Sequence, residues 1–150
     1  MSAGRAGSTR WPAGPLVLGI LAAACGCAQP GEEFVPVAGR VTVNGKPLTV
    51  GSVSFRPDPS RGNTSQHHPT GVIDAHGRFE LYTLRHKGAP PGWYKVLVFS
   101  DANRQAGGPV HPVMPRWATH VKYTSEHATD LFVEVVGTPA PGAYDLKLSP

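Results

Sequence analysis

The sequence predicts an all-β fold, an antiparallel β-sandwich of about seven short strands behind an N-terminal export segment. Three observations carry that reading. Apolar residues recur at every second position in several short runs, the period of a half-buried strand. Turn pairs separate those runs at regular spacing. The 18 glycines and 16 prolines among 150 residues leave little room for long helices. With 40% hydrophobic and only 16% charged residues the chain is folded and globular rather than disordered.

The first strand starts at Val37. Val37, Gly39, Val41 and Val43 point one way and Ala38, Arg40 and Thr42 the other. Asn44 and Gly45 tolerate positive φ and predict a type I′ hairpin turn. Leu48 and Val50 share one parity and Val53 and Phe55 the other, so Gly51 marks a bulge or a new strand start. Residues 56–69 (RPDPSRGNTSQHHP) are almost free of apolar side chains and read as a surface loop. Strand character returns over residues 70–74, and Ala75, His76 and Gly77 form a three-residue connection. Phe79, Leu81 and Thr83 then alternate with Arg78, Glu80 and Tyr82. After a turn at residues 88–92 (GAPPG), Tyr94, Val96 and Val98 line one face of the next strand. The last strands are residues 131–136 and 143–148, with Tyr144, Leu146 and Leu148 facing in. A domain of this size buries about two-thirds of its unfolded surface, enough to stand without covalent staples.

The N-terminus has the layout of an export signal. Two arginines and no acid precede an uncharged apolar run, residues 15–24 (PLVLGILAAA), which Cys25 closes. The run is shorter than the about 20 apolar residues that a permanent span needs. The small residues Ala22, Ala23 and Ala24 before Cys25 resemble the lipobox of bacterial lipoproteins, in which the cysteine thiol accepts a diacylglyceryl group and cleavage falls just before it. Gly26 and Cys27 offer an overlapping alternative. The expected organisation is therefore a lipoprotein signal peptide over residues 1–24, a lipidated tether over 25–36 with Cys25 as acceptor, and a β-sandwich domain over 37–150. Residues 28–150 contain no cysteine, so neither a disulfide nor a thiolate ligand is available in the domain.

The formal charge of +4 includes Arg5 and Arg10, which leave with a cleaved leader; 12 basic residues then face 10 acidic ones. The remaining cations, such as Arg40, Arg56, Arg78 and Lys147, are scattered singly, unlike the clustered Lys/Arg that binds nucleic acid. No nucleic-acid partner is expected.

The run GRVTVNGKPLTVGSVSFRP from Gly39, TGVIDAHGRFEL from Thr70 and PPGWYKVLV from Pro90 resemble the carboxypeptidase-regulatory-like, transthyretin-like domains of small bacterial lipoproteins. VKYTSEHATDLFVEVV from Val121 is similar to their closing portion, so the likeness covers most of residues 37–148. It implies a seven-stranded Greek-key sandwich outside the cytoplasm, acting as a binding or spacer module. One enzymatic branch of the transthyretin-like superfamily hydrolyses 5-hydroxyisourate and ends in Tyr-Arg-Gly-Ser. This chain ends Tyr144-Asp-Leu-Lys-Leu-Ser-Pro instead, and a fold does not by itself confer an activity.

Candidate sites are few. Seven histidines (His67, His68, His76, His86, His111, His120 and His127) fall in expected loops or strand ends, without HxH or HExxH spacing, and read as solvated loop residues. The competing reading is a loop-built zinc or copper site, or a small hydrolase, around His67, His68 and His111. Asp101, Asn103, Gln105 and Gly107 approach a calcium loop, but the glycine is one position late and Pro112 stands where the bidentate glutamate belongs. No GxSxG elbow is present. The strongest surface signal is an apolar second face: Trp93, Leu97 and Phe99 lie opposite Tyr94, Val96 and Val98, with Phe132 and Val136 repeating the pattern. Either the segment 100–120, with Met114 and Trp117, covers this face, or Trp93, Leu97, Phe99 and Trp117 bind a partner. The expected function is a non-enzymatic, lipid-anchored cell-envelope protein that binds a protein or carbohydrate or acts as a spacer, with no cofactor, no catalytic residue and no metal. The alternative is a small extracytoplasmic hydrolase or metal-binding protein.

Overall fold

A computed structural model describes residues 32–103, 114 and 116–150. The export segment, Cys25, Cys27, His111 and most of the stretch resembling a calcium loop lie outside them. The described residues form ten strands in two sheets, with two short 3-10 turns and no α-helix.

Strand β1 (Ala38–Val43) follows the expected alternation. Asn44 and Gly45 both take positive φ, 49° and 77°, so the chain reverses in a two-residue turn and β2 (Lys46–Pro47) pairs back on β1 with Val43 opposite Lys46. Gly51 opens β3 (Gly51–Pro57) rather than bulging within a longer strand. After β4 (Thr70–Ile73), the Asp74 carboxylate accepts the amides of His76 and Arg78, and the chain turns through Gly77 at φ 76°. The run beginning at Arg78 keeps its inside–outside parity, with Phe79, Leu81 and Thr83 buried, but it changes sheets midway. β5 (Arg78–Glu80) pairs β1, whereas β6 (Tyr82–Thr83) pairs β4 and then β7 (His86–Lys87). The turn expected at residues 88–92 is thus preceded by a hairpin at Leu84 and Arg85, which carry no turn signature. β8 (Gly92–Phe99) runs beside β3, β9 (Phe132–Val135) beside β8, and β10 (Leu146–Leu148) beside β1.

The smaller sheet has the order β10-β1-β2, with β5 also on β1; the larger has the order β7-β6-β4-β3-β8-β9. Three strands are only two residues long, which leaves seven of three or more. One pairing departs from the antiparallel expectation: β10 lies parallel to β1, Val41 opposite Leu146. Parallel neighbours require a long crossover, and here nearly the whole domain lies between the two strands. The Asp145 carboxylate reinforces the pairing by accepting the Arg40 amide at 2.9 Å. At Gly39 any Cβ would run into the Tyr144 carbonyl, so the close approach of these chains requires glycine.

Both sheets turn apolar side chains into one core. Val41, Phe79 and Leu146 from the smaller sheet join Val53, Phe55, Val96 and Val133 from the larger in a single buried cluster. Tyr94 sits inside it, its ring 5.6 Å from that of Phe55 and its hydroxyl donating to the Pro90 carbonyl at 2.8 Å. The folded unit begins earlier than residue 37. Val35 is buried in the core and exchanges two 2.9 Å backbone hydrogen bonds with Ala89, because an apolar side chain beside an open strand end gains more by packing than by staying in a tether.

Leu81, fully buried where the chain passes from one sheet to the other, sets a test of this core. Leu81→Ala lowers the unfolding free energy by about 2–5 kcal/mol. Val72→Ala, on a solvent-facing position of β4, changes it by less than about 0.5 kcal/mol. Urea denaturation of both variants measures the contrast, and equal midpoints would contradict the assignment of faces.

Candidate functional site

The expected loop 56–69 does run over the surface, but Pro57, Asp58, Asn63 and Pro69 within it are buried, and it buttresses the start of β8. Asp58 and Asn63 are buried, and both donate to the Trp93 carbonyl, the Asp58 amide at 3.0 Å and the Asn63 side-chain amide at 2.9 Å. Asp58 also caps the 3-10 turn Pro59–Arg61 by accepting the Ser60 amide and hydroxyl, at 3.1 and 2.6 Å. Asn63 caps the next bend by accepting the Ser65 amide. Composition hid this, because Asp and Asn read as solvated until their hydrogen-bond partners are known.

The turn delivers Arg61 onto an aromatic pair. Its guanidinium carbon lies 4.6 Å from the Trp93 ring centre and 4.2 Å from that of Phe132 on β9, and its Nε lies 3.6 Å from the Asp58 carboxylate. In the register, Trp93 faces Glu134 and Lys95 faces Phe132, so Trp93 and Phe132 are diagonal neighbours on the outer face. A cation held between two aromatic rings and tied to a buried carboxylate has few rotamers left. Beside the stack lies a groove of about 420 Å³, bordered by Glu32, Arg61, Asn63, Ser65, Pro91 and Trp93. A larger groove of about 650 Å³ opens on the smaller sheet among Arg40, Arg78, Asp74, Glu80 and Asp145. Its charges of both signs are interspersed, and its acids are already taken by backbone amides or by Lys87. The Trp93 groove has the firmer construction.

The four candidate partner-binding residues do not form one patch. Trp93 is half-buried under Arg61. Leu97 is buried although it lies on the face away from the core, as is its cross-strand neighbour Ser54, and Phe99 is half-buried. Trp117 is 39% exposed and is bridged to Asp101 beyond the far end of β8. Asp101 lies eight positions after Trp93, roughly 26 Å along extended chain. Among the described residues the outer face is therefore closed at its middle, and Trp93 and Trp117 lie toward opposite ends of β8.

The histidines also disperse. His67 pairs with Glu32 at 2.7 Å, while His68 accepts from Arg56 through Nδ1 at 2.6 Å. His86 stacks on Phe34, ring centres 4.6 Å apart and planes within 5°. His120 Nδ1 caps the turn Val121–Thr124 by accepting the Lys122 amide. Among the described residues no three His, Cys, Asp or Glu side chains gather in a metal-binding group. Comparison with known proteins returns no matching family model, no matching curated protein and no matching solved structure.

Asp58 is held below the ordinary aspartate range, first by the Ser60 hydroxyl against the opposing effect of burial, then by the Ser60 amide and the nearby charges of Lys95 and Arg61. A depressed folded pKa contributes stability that is present above the unfolded value and lost as pH falls through the folded one. The wild-type advantage over Asp58→Asn in urea midpoint is therefore full at neutral pH and shrinks as pH drops below about 4. A difference that does not change between neutral and strongly acid pH would contradict the role given to Asp58.

Proposed function

We propose that the chain is a non-enzymatic, lipid-anchored protein of the cell envelope, tethered through Cys25, whose domain is a binding module for a protein partner. The observation that carries the binding role is the Arg61 guanidinium held between Trp93 and Phe132 at the rim of a groove. Tryptophan and arginine are the residue types that dominate interface energetics, and a side chain already ordered loses little entropy on docking. A protein partner is favoured over a carbohydrate because Arg61 occupies a face of the Trp93 ring that a sugar would stack on. The anchor reading is supported by the three-part leader ending at Cys25 and by the absence of cysteine from residues 28–150. Two or three acyl chains, each methylene contributing about 0.8 kcal/mol, hold such a protein firmly at a membrane.

A transthyretin-like, seven-stranded Greek-key arrangement is the finer fold reading. Its support is the set of seven longer strands in the orders β4-β3-β8-β9 and β10-β1-β5, with the neighbours β3–β8 and β10–β1 joined by long connections.

Alkyne-palmitate labelling of cells expressing the full chain, combined with a photo-crosslinker at Thr64 beside the groove, tests both parts. The wild type takes up label and gives a discrete crosslinked adduct; Cys25→Ser loses the label, and Trp93→Ala loses the adduct while still folding. Label retained by a Cys25→Ser, Cys27→Ser double variant would overturn the anchor, and an adduct indifferent to Trp93→Ala would overturn the binding site.

A further inference from the structure

The β6–β7 hairpin exposes an apolar tip that the fold does not use. Leu84 is 81% exposed and adopts φ 54°, a left-handed conformation that a branched apolar residue enters only against a steric penalty. It is not a loose tip. Thr83 and His86 pair at its base, the Thr83 hydroxyl donates to the Gly88 carbonyl at 2.7 Å, and the Gly88 amide donates to the Leu81 carbonyl at 2.7 Å. On the outer side Glu80 takes both Lys87, at 2.6 Å, and the Tyr82 hydroxyl, at 2.7 Å. The hairpin is thus built to hold a leucine out into solvent, with Tyr82 46% exposed behind it and Arg85 beside it. Among the described residues Arg85 has no ion-pair partner.

The position of the hairpin says what it faces. The described chain begins at Glu32, and within three residues it reaches this same hairpin. Phe34 stacks on His86, and Val35 is bonded to Ala89 two residues beyond β7. Glu32 lies seven positions after Cys25, and seven residue steps of fully extended chain reach at most about 25 Å. A lipid on Cys25 therefore holds this end of the domain within one tether length of the bilayer surface.

We infer that the Leu84–Arg85 tip is a membrane-contact element that seats the domain on an anionic phospholipid surface, Leu84 entering the interface and Arg85 meeting the headgroups. The inference rests on the proposed anchor at Cys25. An apolar tip flanked by an aromatic and a cation is the composition that bilayer interfaces favour, because the ring and the guanidinium keep their polar ends in water while the leucine leaves it. Such seating fixes which side of the domain faces outward, which a flexible tether alone does not.

The test uses the acylated full-length product, in a Cys27→Ser background, reconstituted into vesicles of phosphatidylethanolamine and phosphatidylglycerol. An environment-sensitive fluorophore is attached at Leu84→Cys, at Arg85→Cys, or at Lys46→Cys near the far end of β1. Flotation comes first: protein that fails to float with the vesicles refutes the anchor and the inference with it. With protein that floats, probes at 84 and 85 shift to the blue and are quenched by nitroxide-labelled lipid, the probe at 46 is not, and replacing phosphatidylglycerol by phosphatidylcholine weakens the effect. Floating protein whose probes at both 84 and 85 behave like the probe at 46 would overturn the membrane contact while leaving the anchor standing. The Arg85→Cys arm keeps the result decisive if Leu84→Cys does not fold.

Discussion

The domain depends on one constraint: each strand must turn an apolar face into a core shared by two sheets, because neither a disulfide nor a covering α-helix is there to hold the sheets together among the described residues. Residues 28–150 offer no cysteine, and the described residues offer no α-helix to lay across a sheet. The cost of ordering the backbone is of order 1–2 kcal/mol per residue, and burial of side chains such as Phe55, Leu81, Tyr94 and Val96 is the term large enough to oppose it. Parity along each strand is therefore not free, since a slip of one residue would exchange core for solvent along the whole element. This explains why the chain beginning at Arg78 keeps its inside–outside order while it leaves one sheet for the other.

The same constraint decides what could be read from the sequence. Period-two runs placed β1, β5, β8 and β10, since burial on one face writes itself into the order of side chains. Asn44-Gly45 gave away its hairpin because few other pairs accept positive φ at both positions. The Leu84-Arg85 hairpin was invisible for the converse reason: tertiary pairing forces a conformation that the local residues do not favour. The parallel seat of β10 is a relation between segments a hundred residues apart, on which local pattern is silent. Val35 looked like tether because Glu32, Glu33 and Pro36 flank it, although it is in phase with Val37 and Val41.

The candidate site was half legible. Parity put Trp93 and Phe132 on the outer face, but it could not show that a turn in a Pro- and Gly-rich loop would place Arg61 between them. Nor could it show that Asp58 and Asn63 would be buried to hold that turn in place. Polar residues announce their hydrogen bonds only once their partners are positioned. Trp117, grouped with Trp93 by composition, belongs to the other end of the sheet. The two features that remain, the Arg61 stack and the Leu84 tip, both belong to the larger sheet and its loops.

The most direct measurement of the shared core is native-state hydrogen exchange followed amide by amide. If the two sheets stand only by their common interior, the amides of Val41 and Leu146 in the smaller sheet and of Val53 and Val96 in the larger exchange at one slow rate, set by global unfolding. Amides of the smaller sheet that exchange far faster, while those of β3 and β8 remain protected, would show a sheet that opens by itself and would contradict the account.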